Sequence, residues 1–197
     1  MTRIIAGAAR GRRLTVPPGR STRPTADRAR EGLFSTIESL TGTLHAARVL
    51  DLSAGSGAVG LEALSRGAAV ALLVESDEAA VRAIRANIDT LALPGAEVRM
   101  GSAERVVVAG PAAEPFDVAF LDPPYELDDD AVRAVLADAL AHGWLAPDAL
   151  VAVERMTRGG PWTWPVGYSP VRSRSYGEAT LWYGHADSSP AAPTTEV

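Results

Sequence analysis

Cysteine is absent from the 197 residues, which excludes disulfides and cysteine-ligated metals. Lysine is absent too, so all 19 basic residues are arginines, the side chain suited to bidentate contacts with phosphate. Histidine is scarce: His45, His142 and His185 include no two at metal-ligand spacing, and no metal site is expected. There is no apolar run long enough to span a bilayer and no charged-then-apolar leader, so a cytoplasmic protein without membrane contact is expected. A chain of this length, 47% hydrophobic, suits one α/β domain with a small appendage.

The net charge of −5 argues against nucleic acid, but its distribution argues for it. Residues 1–30 hold eight arginines against the single acid Asp27, while the rest holds 11 arginines and 23 acids. A basic arm on an acidic body fits a clamp for phosphates. The candidate contacts are Arg10, Arg12, Arg13, Arg23 and Arg28.

Residues 3–7 and 12–16 read as two short strands of a basic hairpin, and a loop leads to a helix capped by Thr25 and ending near Gly42. Strand and helix patterns then alternate at 48–53, 58–66, 69–75, 77–91, 96–100, 103–108, 116–122 and 128–142, with a further strand at 150–154. Such alternation predicts a parallel sheet covered by helices on both faces. Two strands around Tyr176-Gly177 read as an antiparallel hairpin closing one edge. The expected division is 1–24 as a basic, RNA-binding hairpin extension, 25–185 as the main domain and 186–197 as a disordered tail.

Two motifs carry chemistry. After the apolar run around Asp51, the residues Gly55, Gly57 and Gly60 fit G-x-G-x-x-G, and Glu75 ends the next strand. An acid there can accept the hydroxyls of an adenosine ribose. The second motif is Asp122-Pro123-Pro124-Tyr125, directly after the apolar run 116–121. Two prolines cannot donate ladder hydrogen bonds, so the strand stops, presenting a carboxylate, a backbone carbonyl and an aromatic ring. That set suits a planar base with an exocyclic amine. In a doubly wound sheet both motifs should open on the crevice at the switch point of strand order.

The order of these motifs resembles the S-adenosylmethionine-dependent amino-methyltransferases. The N-terminal segments Arg3–Gly7, Arg10–Leu14 and Arg23–Phe34, together with Gly55–Ala68, resemble one branch, the RsmD-type 16S ribosomal RNA guanine-N2 methyltransferases. The resemblance covers roughly residues 3–184. It implies a Rossmann-like class I fold with a mostly parallel seven-stranded sheet and an N-terminal basic β-hairpin. It also implies methyl transfer from S-adenosylmethionine to the N2 amine of a guanine in 16S rRNA, within the small subunit or an assembly intermediate. Asp51, Ser53, Gly55, Ser56 and Gly57 would surround the methionine end of the cofactor, Glu75 its ribose, and Ser102 and Ala103 its adenine edge. Asp122, which also borders the cofactor, and Pro123 would hold the target amine, with Pro124 stiffening the corner and Tyr125 stacking on the base. The chain departs from the family at Ser53, where an aromatic is usual, and at Ser102, where an acid is usual.

Three other readings share parts of this pattern. A DNA adenine or cytosine amino-methyltransferase uses the same amine-binding corner. An NAD-dependent oxidoreductase uses the glycines and the acid but leaves Asp122–Tyr125 without a role. A noncatalytic RNA-binding assembly factor would keep the arm and a degenerate cofactor pocket.

Overall fold

The computed structural model describes residues 2–17, 24–124 and 127–187. The elements in chain order are α1 (Pro24–Thr41), β1 (Arg48–Asp51), α2 (Ala58–Ser65), β2 (Val70–Glu75), α3 (Glu78–Leu91), β3 (Ala96–Met100), α4 (Ala103–Val108), β4 (Phe116–Leu121), α5 (Asp129–Ala141), β5 (Leu145–Met156), β6 (Tyr168–Tyr176) and β7 (Ala179–Ala186). One seven-stranded sheet has the order β3-β2-β1-β4-β5-β7-β6. The first five strands pair in parallel, and β7 and β6 close the edge in antiparallel fashion. Strand order reverses between β1 and β4, as the alternation predicts. β7 runs through Ala186, one residue into the segment read as a tail; the remainder from 188 lies outside the described residues.

Side chains alternate between faces along each strand, and two cores result. Val49, Leu73, Phe120, Leu181 and Tyr183 pack with Leu33, Phe34 and Ile37 of α1, Leu61 of α2 and Ile84 of α3. On the other face Leu50, Val74, Leu121 and Val153 pack with Val107 of α4 and Val132, Val135 and Leu136 of α5. Among the described residues no helix is long and apolar enough to cross a membrane.

Two local expectations change. Helix α1 starts at Pro24 rather than after a Thr25 cap, because the fixed φ of proline suits the first helical turn, where an N–H is not needed. The N-terminal hairpin is reduced to one bridge, Arg3 with Arg13. Its flanking bonds are Ile4 N–H to Arg12 O at 2.9 Å and Leu14 N–H to Thr2 O at 2.9 Å. The ladder stops because the next amides are used elsewhere: Ile5 and Ala6 donate to the Glu62 carboxylate at 2.7 and 2.9 Å.

The arm is embedded rather than appended. Ile4, Ala9 and Leu14 are buried in the same core as α1, α2 and α3. Ala8 N–H donates to Ser65 O at 2.7 Å, satisfying a carbonyl at the C-terminal end of α2, and Ala9 N–H donates to Ser65 Oγ at 2.9 Å. At Gly7 (φ +78°) a Cβ would lie 1.7 Å from Ser65 O, so only glycine fits. Further along, buried Asn87 of α3 accepts from Thr15 N–H at 2.7 Å and donates to Thr15 O and Ser56 O, both at 2.9 Å. One amide thereby ties the arm to the glycine loop.

Candidate active site

The glycine loop forms because β1 ends in a polar turn that has to reverse into α2. Gly57 is the N-cap at φ +79°, ψ 12°, a left-handed conformation that favours glycine. Lacking a side chain, it cannot cap the helix. Asp51 at the tip of β1 does so instead, its Oδ2 accepting the Gly60 N–H at 3.1 Å. A Cβ at Gly57 or at Gly60 would meet Leu73 at 2.9 Å, so these two glycines serve close packing of α2 on β2. Gly55 (φ +58°) is buried and donates its N–H to Glu75 Oε2 at 2.8 Å.

Glu75 does more than border the site. Its Oε1 also accepts the amides of Ser76 and Asp77, each at 2.8 Å. The carboxylate thus joins the turn after β1 to the turn after β2, a structural duty the sequence reading did not anticipate.

Above these turns lies a cleft of about 800 Å³, lined by Ser53, Glu75, Ser102, Ala103, Asp122, Pro123 and Pro124. The apolar part of its wall comes from Leu52, Val74, Leu121, Leu127 and Val135, residues the motifs did not flag. All belong to strand tips or to the α4–α5 side, and their apolar period reads as core; only the strand order shows that they open on a cavity. Ser102 is the N-cap of α4 but makes no side-chain cap bond. The Pro124 carbonyl accepts Leu127 N–H at 3.0 Å and turns the loop back toward α5. Gly55, Ser56 and Gly57 stand beside the cleft rather than in its wall. Tyr125 and Arg23 lie outside the described residues.

The site is acidic. Asp51 is fully buried, and among the described residues its Oδ1 has no hydrogen-bond partner. Burial pushes its carboxyl from the usual value near 3.8 up to about 7, opposed by the Gly60 and Ser53 amides and assisted by the charges of Asp122 and Glu75. Three acids that feel one another's charge favour a cation nearby. Among the described residues no His, Cys, Asp and Glu side chains are grouped to hold a metal ion.

The arginines divide. Arg10, Arg12, Arg13 and Arg28 are exposed. Arg12 donates to Thr90 O at 2.6 Å, near the C-terminal end of α3. The hairpin turn rests on Ser65, the last residue of α2. Both helix ends lie at the edge of the sheet where strands begin, opposite the cleft. Arg28 sits in the first turns of α1. The interaction between Tyr183 and Thr36, and the contact of Tyr176 with Gly32 four residues nearer its start, show that α1 points its N-terminal end toward the cleft.

Comparison with known proteins agrees with this layout. The family profile described as Conserved hypothetical protein 95 matches residues 2–185. The ribosomal RNA small subunit methyltransferase D of Escherichia coli strain K12 is 38% identical over 180 residues, covering 89% of this chain and 85% of that protein. Its namesake from Haemophilus influenzae is 35% identical over 154 residues, covering 77% of each. A solved Escherichia coli structure named for a methyltransferase superposes with a TM-score of 0.80 at 37% identity, covering 95% of this chain and 99% of that one. The structure of a hypothetical protein from Thermus thermophilus gives 0.75 at 37% identity, covering 93% and 98%. The chain therefore belongs to the Conserved hypothetical protein 95 family, the RsmD type, which includes ribosomal RNA small subunit methyltransferase D.

Proposed function

We propose that the protein transfers a methyl group from S-adenosylmethionine to the exocyclic N2 amine of a guanine in small-subunit ribosomal RNA. The observation that carries this reading is the shared cleft: the Asp122–Pro124 corner opens on the same space as Ser53, Glu75, Ser102 and Ala103. The relatives named for small-subunit rRNA methylation support the substrate class.

The residues present fit the cofactor. The partnerless Oδ1 of Asp51 suits the ammonium of a methionine moiety, and the three acids Asp51, Glu75 and Asp122 suit its net positive character. Glu75 would border the ribose, and Ser102 and Ala103 the adenine edge. When bound, S-adenosylmethionine supplies a methyl group already activated by its sulfonium. The protein's task is then to orient a poor nucleophile, an amine whose lone pair is delocalised into the ring. The Pro124 carbonyl accepts Leu127 N–H, and this reading assigns the amine to the Asp122 carboxylate and the Pro123 carbonyl. Tyr125 follows directly and would stack on the base; stacking on an aromatic ring contributes roughly 1–3 kcal/mol, comparable with the cost of unstacking a base. Asp122 is also placed to take the proton the amine loses.

The test is methylation of small-subunit rRNA with labelled cofactor, as naked transcript and as assembled particle, followed by nucleoside mass analysis. N2-methylguanosine is the expected product. Label on an adenine or cytosine amine, a preference for DNA, or cofactor binding with no product on any RNA would each reject the proposal.

A pH dependence follows from Asp51. Its raised carboxyl holds a proton in the folded protein at pH values where the unfolded chain has lost it. The associated stability is fully present below about 3.8 and is lost as pH rises through about 7. A cation beside Asp51 favours the ionised form, so binding releases a proton. S-adenosylmethionine affinity should therefore rise between pH 5 and 7, by up to about tenfold per pH unit, and level off above. Calorimetry in buffers of different ionisation enthalpy reads that proton directly. Asp51→Asn should abolish the proton release; the same profile in the variant would assign the titration to another group.

A further inference from the structure

The arginine-rich hairpin turn sits at the end of the sheet away from the cleft, which leaves open what holds RNA beside Asp122. We propose that the outer strand β6 is a second RNA-binding limb, with Arg172 and Arg174 contacting phosphates of the strand that delivers the target base. This rests on the methyltransferase reading above and adds a contact surface to it.

The register fixes the level. Leu121 of β4 pairs with Val153 of β5, Val153 with Trp182 of β7, and Trp182 with Ser173 of β6. Because β6 runs in the same direction as β4, Arg174 stands at the height of Asp122, and Arg172 lies one residue below Leu121. The lateral offset is three strand spacings, about 14 Å. That distance is within the reach of a short piece of RNA crossing the sheet top.

The face is also fixed. Arg172 pairs with Tyr183 and Arg174 with Leu181, and both partners belong to the core beneath α1. The two arginines therefore project on the α1 side, the same side as exposed Arg28 near the start of that helix. The cleft's apolar wall lies on the opposite side, with Leu121, Leu127 and Val135. A cofactor seated against that wall leaves the α1 side of the strand tips for the base and its backbone.

Neither guanidinium has a structural duty. Both are exposed, and among the described residues neither forms an ion pair or a hydrogen bond. Contrast Arg30, Arg66 and Arg155, which hold Asp27, Glu62 with Glu38, and Asp129. Charges on an edge strand also discourage sheet-to-sheet aggregation. That role is indifferent to face, yet Ser173 and Ser175, which point the other way, carry no charge. The charge is one-sided, as a docking surface requires. Acids are present in the surroundings: Glu31 in α1, Glu154 in β5 and Glu178 in the β6–β7 turn. They make the surface a ridge of paired arginines rather than a uniform basic field.

The test uses the full chain carrying Arg172→Ser and Arg174→Ser together, with Arg105→Ser on the α4 face as control. Binding to naked small-subunit rRNA transcript is measured across a salt series, alongside cofactor affinity and thermal melting. We expect the double variant to lose at least tenfold in RNA affinity and its log–log salt slope to flatten by about 1.4, two single-stranded phosphate contacts. Cofactor affinity, melting and the control should match the native chain. Native-like RNA affinity and slope in the double variant would overturn the proposal, leaving the methyltransferase reading intact. A loss confined to assembled particles, with naked RNA unaffected, would also overturn it and assign the surface to a ribosomal protein. If the native chain itself shows no salt-dependent binding to the transcript or to assembled particles, the methyltransferase reading fails instead.

Discussion

Asp122→Ala is expected to lower the rate of methyl transfer by at least 10²–10⁴-fold, the range for removing a positioned acid–base group, while S-adenosylmethionine affinity shifts only severalfold. The separation follows from where the residue sits. Asp122 is half-buried at the tip of β4, on the rim of the cleft, whereas the place proposed for the cofactor's cationic end is beside buried Asp51 at the tip of β1. Removing Asp122 takes one anion from the neighbourhood of Asp51, a modest change in attraction for a cation. It takes away one of the two acceptors proposed to orient the target amine, and orientation can supply on the order of 7–11 kcal/mol of a barrier in favourable cases. Asp122→Asn distinguishes positioning from proton removal. Its carboxamide oxygen still accepts a hydrogen bond but is too weak a base to take a proton. An intermediate rate in the Asn variant identifies orientation as the larger share; a rate equal to that of Ala identifies proton transfer. A collapse of cofactor binding in either variant would move Asp122 out of the amine site and into the cofactor site. Equilibrium binding and single-turnover kinetics on one substrate RNA separate these results.

Much of this site is legible in the residues because the contacts are local. The double proline ends β4 at Leu121 whatever its surroundings, and the left-handed Gly57 starts α2. The alternation of apolar periods places the boundaries of β1 to β4 within two residues, and from it the switch point between β1 and β4, whereas β5 already begins at Leu145, ahead of the expected 150. What stays hidden depends on residues far apart in sequence. Glu75 reads as a ribose acid but spends its oxygens on the amides of Gly55, Ser76 and Asp77. Asn87 lies on the buried stripe of α3 with Ile84 and Leu91, and a polar residue in that stripe was the available signal. Its partners, Thr15 and Ser56, could not be read from it. The arginines show the same limit. Their density in the first 30 residues is plain, yet the location of the turn is set by Glu62 and Ser65, and the height of Arg174 by a register counted across three strands.

Location of the arm matters for how it is tested, because deleting it would not isolate RNA binding. The two residues that seat it share one helix, and Glu62 is the more demanding. It is fully buried, accepts from Ile5 and Ala6, and pairs with Arg66 Nε at 2.9 Å. Arg66 in turn lies over the Phe34 ring at 4.7 Å and reaches Glu38 at 2.9 Å, so the cluster joins the arm, α1 and α2. Glu62→Ala strands two backbone amides and removes the buried counter-charge of Arg66. Breaking a buried pair from one side costs about 3–5 kcal/mol. For a chain of this size that is a fall in melting temperature of roughly 6–20 °C. Glu62→Gln keeps one acceptor oxygen and should lose less. Chemical denaturation with an unchanged slope reads the stability, and hydrogen exchange at Ile5, Ala6, Ala8 and Ala9 reads the seating of the arm. Faster exchange at these amides, at a smaller global loss, would mean that the arm detaches while the sheet stays folded. A Glu62→Ala protein as stable as the native chain, with those amides still protected, would remove Glu62 as the anchor. The expected coupled loss makes the arm part of the core, so its arginines are to be tested one by one on an intact fold.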